Sequence, residues 1–285
     1  MKCTGFKRTT AIALAGVLFA LSANADARDR KDCDSDYKPQ VGQSGKDVVW
    51  VPTPDELVQR MLRMAKVTPQ DLVYDLGAGD GKIAIAAGKL GANAVGIEYN
   101  PDMAKLAQCY VQAEGLTGKT RIIQGDIFKE DFSKATVVTM YLLPELNLRL
   151  RPTLLNMKPG TRVTSHQFSM GDWEADETAE IDYRTAYLWI VPAKVEGSWT
   201  LREQGGTAQY SVNLTQKYQK VSGDISVGGN KQPLVGATLR GDELSFAFND
   251  EKGVTRKLTG TVRGNEISGV LKGGTAESKV ACSRK

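Results

Sequence analysis

A strand that runs directly into a glycine-rich turn constrains this chain more than any other stretch of it. Residues 72–76 (Leu-Val-Tyr-Asp-Leu) are aliphatic, aromatic and β-branched, a composition that predicts a buried strand. The glycines that follow, Gly77, Gly79 and Gly81, lack a Cβ, so the backbone can turn tightly and approach a ligand closely. Residues 82–90 then have the pattern of a helix whose N-terminus faces the turn. This order predicts the nucleotide-binding corner of an open α/β sheet.

The residues around this turn alternate between strands and helices. Besides the strand at 72–76, we predict strands at 92–98, 120–124, 135–141 and 161–168, and an edge hairpin at 179–183 and 186–191. We predict helices at 54–66, 82–90, 100–114 and 144–157. Thr53 and Glu56 fit a capping box at the start of the first helix, with Pro54 at its first position. The alternation is typical of a doubly wound, Rossmann-like and mostly parallel α/β sheet, which we assign to residues 48–195.

The composition changes after residue 195, and residues 196–285 have no helical period. They divide into short alternating strands at a spacing of about 8–12 residues. Glycine-containing turns, such as those at 240–242 and 263–265, separate the strands. This pattern predicts a second, small all-β antiparallel domain, either a sandwich or a barrel. We interpret it as an accessory domain.

Residues 1–25 have the pattern of an export signal. Three cations near the N-terminus precede an apolar run at 11–21 that is too short to span a bilayer, and residues 23–25 form a small-x-small cleavage site. No cysteine follows the apolar run as a lipid anchor would require. We therefore expect a bacterial protein that is periplasmic or secreted and has no stable membrane anchor. Residues 26–47 are polar and charged, and we predict that they form a loosely held arm.

Removal of this leader lowers the formal net charge from +4 to +1, because the leader contributes three cations and no acid. So balanced a charge argues against a nucleic-acid partner.

Export permits a disulfide between Cys33 and Cys282, and we interpret Cys109 as a small core residue of a helix. No His/Cys cluster has metal-ligand spacing, so we predict no metal site. We assign a structural role to His166, the single histidine.

Three acidic residues lie at the ends of the predicted strands next to the glycine turn. Asp75 ends the first strand, Glu98 ends the second and Asp126 follows the third. In an open α/β sheet these carboxyl ends meet where the ligand binds. Glu98 follows the glycines at the distance expected of an acid that accepts both ribose hydroxyls. Asp126 can accept from an exocyclic amine across the pocket, and Asp75 can hold backbone amides or a cationic amino group.

The spacing of the glycines distinguishes between classes of nucleotide. A dinucleotide fingerprint needs G-x-G-x-x-G, but Lys82 occupies the third glycine position in this chain. The Gly-Lys-Ser/Thr of a phosphate-binding P-loop is also absent. A pyrophosphate ligand, and with it an oxidoreductase, is therefore disfavoured. A ligand with ribose, adenine and a charged amino-acid part fits better.

Residues 75–81 (Asp-Leu-Gly-Ala-Gly-Asp-Gly), Glu98 and residues 125–126 (Gly-Asp) resemble the first three motifs of the class I, seven-strand S-adenosylmethionine-dependent methyltransferases. Residues 51–54 (Val-Pro-Thr-Pro) and 141–145 (Tyr-Leu-Leu-Pro-Glu) resemble a narrower subgroup. That subgroup contains bacterial proteins and the mitochondrial protein-lysine methyltransferases. The resemblance implies S-adenosylmethionine as cofactor and an amine-bearing substrate, such as a protein lysine.

The resemblance also implies which residues contact the cofactor. The predicted cofactor-binding residues are Tyr74, Asp75, Gly77, Ala78, Gly79, Glu98, Asp126 and Ile127. In this assignment Asp75 and the glycines contact the methionine part, Glu98 the ribose and Asp126 the adenine.

Methyl transfer to an amine needs a nucleophile held in line, close approach and the exclusion of water. We expect Tyr141 and Glu145 at the mouth of the site as catalytic residues, where Tyr141 orients the amine and Glu145 holds a cationic side chain. The Asn-Pro-Pro-Tyr signature of amide and base methylases is missing, which argues against nucleic-acid methylation. The alternative function is a non-catalytic exported module that binds an adenosyl or other nucleotide ligand and recognises a partner through its β domain.

Overall fold

The computed structural model describes residues 29–205 and 207–285, and the predicted leader lies outside these ranges. The α/β part contains, in chain order, α1 (Arg30–Asp36), α2 (Asp55–Met64), β1 (Leu72–Leu76), α3 (Lys82–Lys89), β2 (Asn93–Glu98), α4 (Pro101–Ala113), β3 (Thr120–Gln124), β4 (Val137–Met140), α5 (Pro144–Leu155), β5 (Arg162–His166), β6 (Glu177–Ile181) and β7 (Arg184–Ile190). The predicted alternation of strands and helices is confirmed, and so is the edge hairpin.

These strands form one seven-stranded sheet in the order β3-β2-β1-β4-β5-β7-β6. Strands β1 to β5 are parallel to one another, whereas β7 is antiparallel to both β5 and β6. Strands β2 and β3 follow β1 on one side of it in the sheet, and the next strand in the chain, β4, lies on the opposite side of β1. Such a reversal leaves a crevice beyond the carboxyl ends of β1 and β4, which is where ligands bind in open α/β sheets.

Side chains alternate between the two covered faces of the sheet. Val73 of β1 belongs to the core with Leu57 of α2, on the face that α2, α3 and α4 cover. Its neighbours Tyr74 and Leu76 belong to the opposite core, with Leu150 of α5. This two-residue period decides which β1 side chains can reach a ligand and which are packing residues.

The C-terminal part contains only strands: β8 (Gly197–Glu203), β9 (Gln209–Lys217), β10 (Lys220–Val227), β11 (Asn230–Pro233), β12 (Val235–Arg240), β13 (Glu243–Asn249), β14 (Thr255–Arg263), β15 (Glu266–Gly273) and β16 (Ala276–Arg284). They form a single antiparallel sheet in the order β11-β10-β9-β8-β16-β15-β14-β13-β12. The sheet curls so that its two ends approach each other. The N–H of Leu234, just before β12 at one end, donates to the carbonyl of Gly223 in β10, near the other end, at 2.9 Å. Between the two predicted alternatives, the structure is therefore a nearly closed barrel.

Three of these strands, β11, β12 and β16, were not predicted from the sequence. In β16 only Val280 and Cys282 are buried, and in β12 only Leu239 is buried. The pairing of β12 with β13 is also irregular between Val235 and Thr238. Strands with so few apolar residues carry a weak alternating pattern, so their pairing comes from the neighbouring strands rather than from their own composition.

The N-terminal arm differs from the sequence-based expectation. Cys33 of α1 forms a disulfide with Cys109 of α4, across a sequence separation of 76 residues, while Cys282 is a free thiol buried in the barrel. The Cys33–Cys282 disulfide that export would permit is therefore not formed, and the interpretation of Cys109 as a small core residue is wrong. The physical reason is that α1 packs against α4 of the α/β part, where Arg30 also forms an ion pair with Glu114 at 2.9 Å. The described part of the arm is thus fastened rather than loosely held.

The barrel packs against the loop that follows β5. Tyr218, in the turn between β9 and β10, stacks on Trp173 with ring centroids 6.1 Å apart and donates its hydroxyl to Asp172 at 2.9 Å. Lys220 of the same hairpin pairs with Glu174 at 2.6 Å. The barrel therefore packs against the segment between β5 and β6.

No helix within 29–205 or 207–285 is both long and apolar enough to cross a membrane.

Candidate active site

A cavity of about 310 Å³ lies beyond the carboxyl ends of β1 to β4. Seven of the eight predicted cofactor-binding residues line it: Asp75, Gly77, Ala78, Gly79, Glu98, Asp126 and Ile127. Of the two predicted catalytic residues, Tyr141 lines the cavity. The structure therefore brings together residues that are separated by up to about 65 positions in the chain, as expected of strand ends in a parallel sheet.

Two predicted site residues lie elsewhere. Tyr74 packs against Phe132 on the α5 face, with ring centroids 6.4 Å apart, because alternation along β1 turns its side chain away from Asp75. Glu145 is exposed in the first turn of α5 and is not among the residues that line the cavity. An acid in a first helical turn is stabilised there by the helix dipole whether or not it has a catalytic role.

The glycine turn is held by Glu98. One carboxylate oxygen of Glu98 accepts from the backbone N–H of Gly79, and the other accepts from the N–H of Asn100, both at 2.8 Å. Burial raises the pKa of Glu98 above its ordinary value. Gly79 has a φ of +56°, and a Cβ built on it would lie 2.8 Å from Nε1 of Trp50. Only glycine meets both conditions without strain.

Asp75 is buried, with 2% of its surface exposed. Its Oδ1 accepts the hydroxyl of Thr139 at 2.7 Å, and the backbone N–H of Ala84 in the first turn of α3 also lowers the pKa of this carboxylate. Oδ2 has no partner within hydrogen-bond distance among the described residues. Burial, together with the nearby carboxylates of Asp80 and Glu98, raises the pKa of Asp75 to about 7. A buried carboxylate oxygen without a partner beside a cavity suits a cationic group, such as the ammonium of an amino-acid ligand. The site thus fits the amino-acid part of S-adenosylmethionine.

A segment that sequence reasoning did not assign to the site covers the cavity. Residues 43–53, here called the strap, all line it and fold back on themselves through a β-bridge between Ser44 and Val49. Lys46 of the strap pairs with Asp126 at 3.0 Å and lies over the Tyr99 ring, 4.5 Å from its centroid. The sequence signal for the strap was the Val-Pro-Thr-Pro stretch that ends it.

Asp126 is held ionised by its surroundings. Its Oδ1 accepts from the N–H of Phe128 at 3.0 Å, and this bond and the Lys46 pair lower the pKa of Asp126. A carboxylate in this state accepts hydrogen bonds only, which suits the exocyclic amine of an adenine.

The edge of the cavity at the end of β4 is aromatic. The Tyr141 ring lies against the imidazole of His166, with centroids 3.8 Å apart, and 6.2 Å from the Phe168 ring. Burial raises the pKa of Tyr141, so its phenol stays protonated at neutral pH.

The predicted capping box of α2 is wrong, because the hydroxyl of Thr53 lies 3.1 Å from Nδ1 of His166 and the helix has no side-chain cap.

Within the described ranges, no cluster of His, Cys, Asp and Glu side chains could hold a metal ion.

Comparison with known families agrees with this geometry. A family model described as the ANTKMT methyltransferase domain matches residues 75–177, and a second, described as a DNA methylase, matches residues 33–109. A protein-lysine N-methyltransferase from Saccharolobus islandicus is 43% identical over 151 residues, which are 50% of this chain and 94% of that protein. An ATP synthase lysine N-methyltransferase of Mus musculus is 30% identical over 51% of this chain, and the match spans only 59% of the mouse protein.

A solved structure agrees as well. The crystal structure of an RNA methyltransferase from Salinibacter ruber in complex with S-adenosyl-L-homocysteine is 46% identical, with a TM-score of 0.50 over 51% of this chain and 96% of that one. These matches favour the enzyme over the non-catalytic binding module. The chain belongs to the class I S-adenosylmethionine-dependent methyltransferases, in the group that includes protein-lysine N-methyltransferases.

Proposed function

We propose that this protein methylates a lysine side chain of a protein substrate outside the cytoplasm. The observation that carries the choice of reaction is that the Asp75 oxygen without a partner among the described residues and the aromatic edge around Tyr141 belong to one cavity, at the ends of the neighbouring strands β1 and β4. The first suits the charged amino-acid part of the cofactor, and the second suits an aliphatic amine arriving from outside. Relatives named as lysine N-methyltransferases support lysine as the acceptor.

Each part of the cofactor has a matching group in the cavity. In our proposal the Asp75 carboxylate accepts from the ammonium, while the backbone of Gly77 and Gly79 passes close to the methionine part. The Glu98 carboxylate, which accepts from the N–H of Gly79 in the turn, also accepts from the ribose hydroxyls. Asp126 accepts from the adenine amine, and Ala78 and Ile127 supply apolar contacts.

When bound, S-adenosylmethionine supplies a methyl group on a positively charged sulfur. The residues of the chain have to present a neutral amine in line with that group and keep water out. Leu143 and Phe168 make the edge of the cavity apolar, which disfavours an ammonium and so lowers the pKa of the arriving lysine. The Tyr141 phenol stays protonated and therefore orients the amine rather than removing its proton. The amine nitrogen gains the C–N bond, the C–S electron pair stays on sulfur, and the proton leaves to solvent.

The proposed compartment is the periplasm or the exterior of a bacterial cell. The Cys33–Cys109 disulfide supports it, because disulfides persist in oxidising compartments and are rare in the cytosol. Mass spectrometry of the native protein tests this proposal. We expect a chain that begins at Asp26, is recovered with the periplasmic or secreted fraction and has Cys33 and Cys109 unreactive to alkylation. A full-length, cytoplasmic and fully alkylated chain would contradict it.

Transfer of a labelled methyl group to an envelope extract tests the activity. We expect label on lysine in protein, lost with Asp75→Asn or Glu98→Ala and retained with Asp131→Asn, a control carboxylate that is exposed and outside the cavity. The RNA methyltransferase structure and the DNA methylase match favour a nucleobase amine as the second candidate acceptor. Label that nuclease removes and protease does not would establish that candidate instead.

A further inference from the structure

Three side chains from separate segments meet at the aromatic edge of the cavity. Thr53 ends the strap, Tyr141 follows β4 and His166 ends β5. Thr53 is 5% exposed and His166 is 2% exposed, and their side chains lie 3.1 Å apart between Oγ1 and Nδ1. The imidazole in turn lies against the Tyr141 ring at 3.8 Å between centroids. The three side chains therefore form a continuous row of contacts, here called the stack, from the strap to the aromatic edge of the cavity.

The imidazole is neutral at neutral pH. Burial, with a contribution from the Arg184 cation, lowers the pKa of His166 to about 4. A neutral ring has one N–H and one acceptor nitrogen, so the hydroxyl of Thr53 complements Nδ1 in either tautomer. His166 does not line the cavity, which leaves it without a direct contact to substrate or cofactor.

Thr53 does not cap the helix that follows it. The N-cap of α2 is Pro54, and no side chain caps this helix. The Thr53 hydroxyl is directed to His166, so its hydrogen bond joins the end of the strap to the end of β5.

The orientation of Tyr141 depends on this stack. Within the described part of the chain, the Tyr141 hydroxyl has no hydrogen-bond partner, so ring contacts alone set the plane of the phenol. His166 supplies the nearest of them, and the Phe168 ring is more distant, at 6.2 Å.

We infer that His166 and Thr53 are positioning residues, which hold the Tyr141 ring at the angle at which its hydroxyl meets the acceptor amine. This inference rests on the proposed function for its kinetic consequence, although the orientation of the ring can be measured without any acceptor. A misplaced amine lowers the rate of transfer. His166 does not line the cavity, so we expect its replacement to leave binding of the cofactor largely unchanged. The stack also links the strap to the mouth.

Kinetics separates this role from a purely structural one. We expect His166→Leu to lower kcat by about 10-fold to 100-fold, the cost of a misplacement near 1 Å, with the Kd for S-adenosylmethionine within about twofold. Thr53→Val lowers kcat about fivefold, as the loss of one neutral hydrogen bond would, and Thr53→Ser restores it. Thr164→Val is the matched control, because the Thr164 hydroxyl is buried on β5 without a partner among the described residues.

A double-mutant cycle tests the order of the stack. Because Thr53 acts through His166, Thr53→Val should have no further effect on kcat in the His166→Leu background. Equal kcat for His166→Leu and the unaltered chain, or additive losses in the double variant, would overturn the inference.

NMR of ring-labelled tyrosine gives a readout that needs no acceptor. The Tyr141 resonance, assigned by its loss in Tyr141→Phe, should be shifted by the imidazole in the unaltered chain and should move toward its free value in His166→Leu. An unshifted resonance in the unaltered chain would refute the positioning role. If the resonance is shifted but no lysine is methylated, the proposed function fails while the orientation of the ring stands.

Discussion

Replacement of Gly79 by alanine tests whether the glycine turn and the strap enclose the cofactor together. Gly79 has a φ of +56°, and its Cβ would lie 2.8 Å from Nε1 and 3.1 Å from Cδ1 of the Trp50 indole. Gly115, in the turn after α4, has a similar φ of +66°, but a Cβ there would meet no atom within 4 Å. Gly115→Ala is therefore a matched control that adds the same backbone strain without the contact.

The two substitutions should cost about the same in backbone strain, about 1–2 kcal/mol for a left-handed residue with a Cβ. Gly79→Ala must in addition push the Trp50 indole, and with it the strap, away from the turn. Since the turn and the strap both line the proposed cofactor cavity, we expect the Kd for the cofactor to rise at least about tenfold, which corresponds to about 1.4 kcal/mol. With S-adenosylmethionine at about 100 times the Kd of the unaltered chain, the ligand's stabilisation would fall from about 2.7 to about 1.4 kcal/mol.

Urea unfolding with and without S-adenosylmethionine measures both quantities on the same samples. Gly115→Ala should lower the free energy of unfolding and leave the ligand's stabilisation unchanged. Gly79→Ala should lower both. If both variants retain the full stabilisation by the ligand, the contact between turn and strap has no part in cofactor binding.

The remaining predictions concern the Asp75 carboxylate and the residues at and near the aromatic edge of the cavity. The pKa of Asp75 is raised from about 3.8 to about 7, so between these values the folded chain keeps a proton that the unfolded chain has lost, and stability falls as the pH rises. Asp75→Asn should flatten that slope in urea unfolding, and it should also abolish an increase in S-adenosylmethionine affinity between pH 6 and pH 8, which requires the ionised carboxylate. At the aromatic edge, Tyr141→Phe removes the hydroxyl that His166 positions, so it should lower kcat at least as much as His166→Leu, by about 100-fold. The exposed Glu145 contributes no group to the cavity, so Glu145→Gln should leave kcat within about twofold. A large loss with Glu145→Gln would mean that the acceptor's own cation pairs with it.

Much of the fold was predictable because its pattern is local. Apolar runs, helix periods and turn residues identify the elements of the α/β part, and the glycine spacing after β1 identifies the crevice without any knowledge of distances. The barrel was harder, since strands such as β16 bury only two residues each. Their place depends on partners far along the chain, which alternation within one strand does not reveal.

The site was predictable where the chain places functional groups at strand ends, and not where tertiary packing decides. Asp75, Glu98 and Asp126 all reach the cavity, because parallel strands bring their carboxyl ends together. Tyr74 does not, although it is adjacent to Asp75, because alternation turns it to the other face. The strap could not be derived either, since nothing in its composition says that a polar arm folds back across the sheet.

The strap depends on the arm that precedes it. The arm is fixed at its start by the Cys33–Cys109 disulfide, and the strap is held by Lys46 at the β3 side and by Thr53 at the β5 side. The pair at Lys46 is partly exposed, so it contributes little by itself. The disulfide is the covalent member of these constraints.

We expect the cofactor site to be sensitive to reduction of this disulfide. Loss of a cross-link over 76 residues should lower the free energy of unfolding by about 2–4 kcal/mol. It should also raise the Kd for S-adenosylmethionine, because the freed arm no longer limits the motion of the strap. Calorimetry of the oxidised chain, the reduced chain and Cys33→Ser should give the tightest binding for the oxidised chain and equal, weaker binding for the other two. Equal affinity in all three would mean that the strap is held without the disulfide, and that the cavity is as complete in the cytosol as in an oxidising compartment.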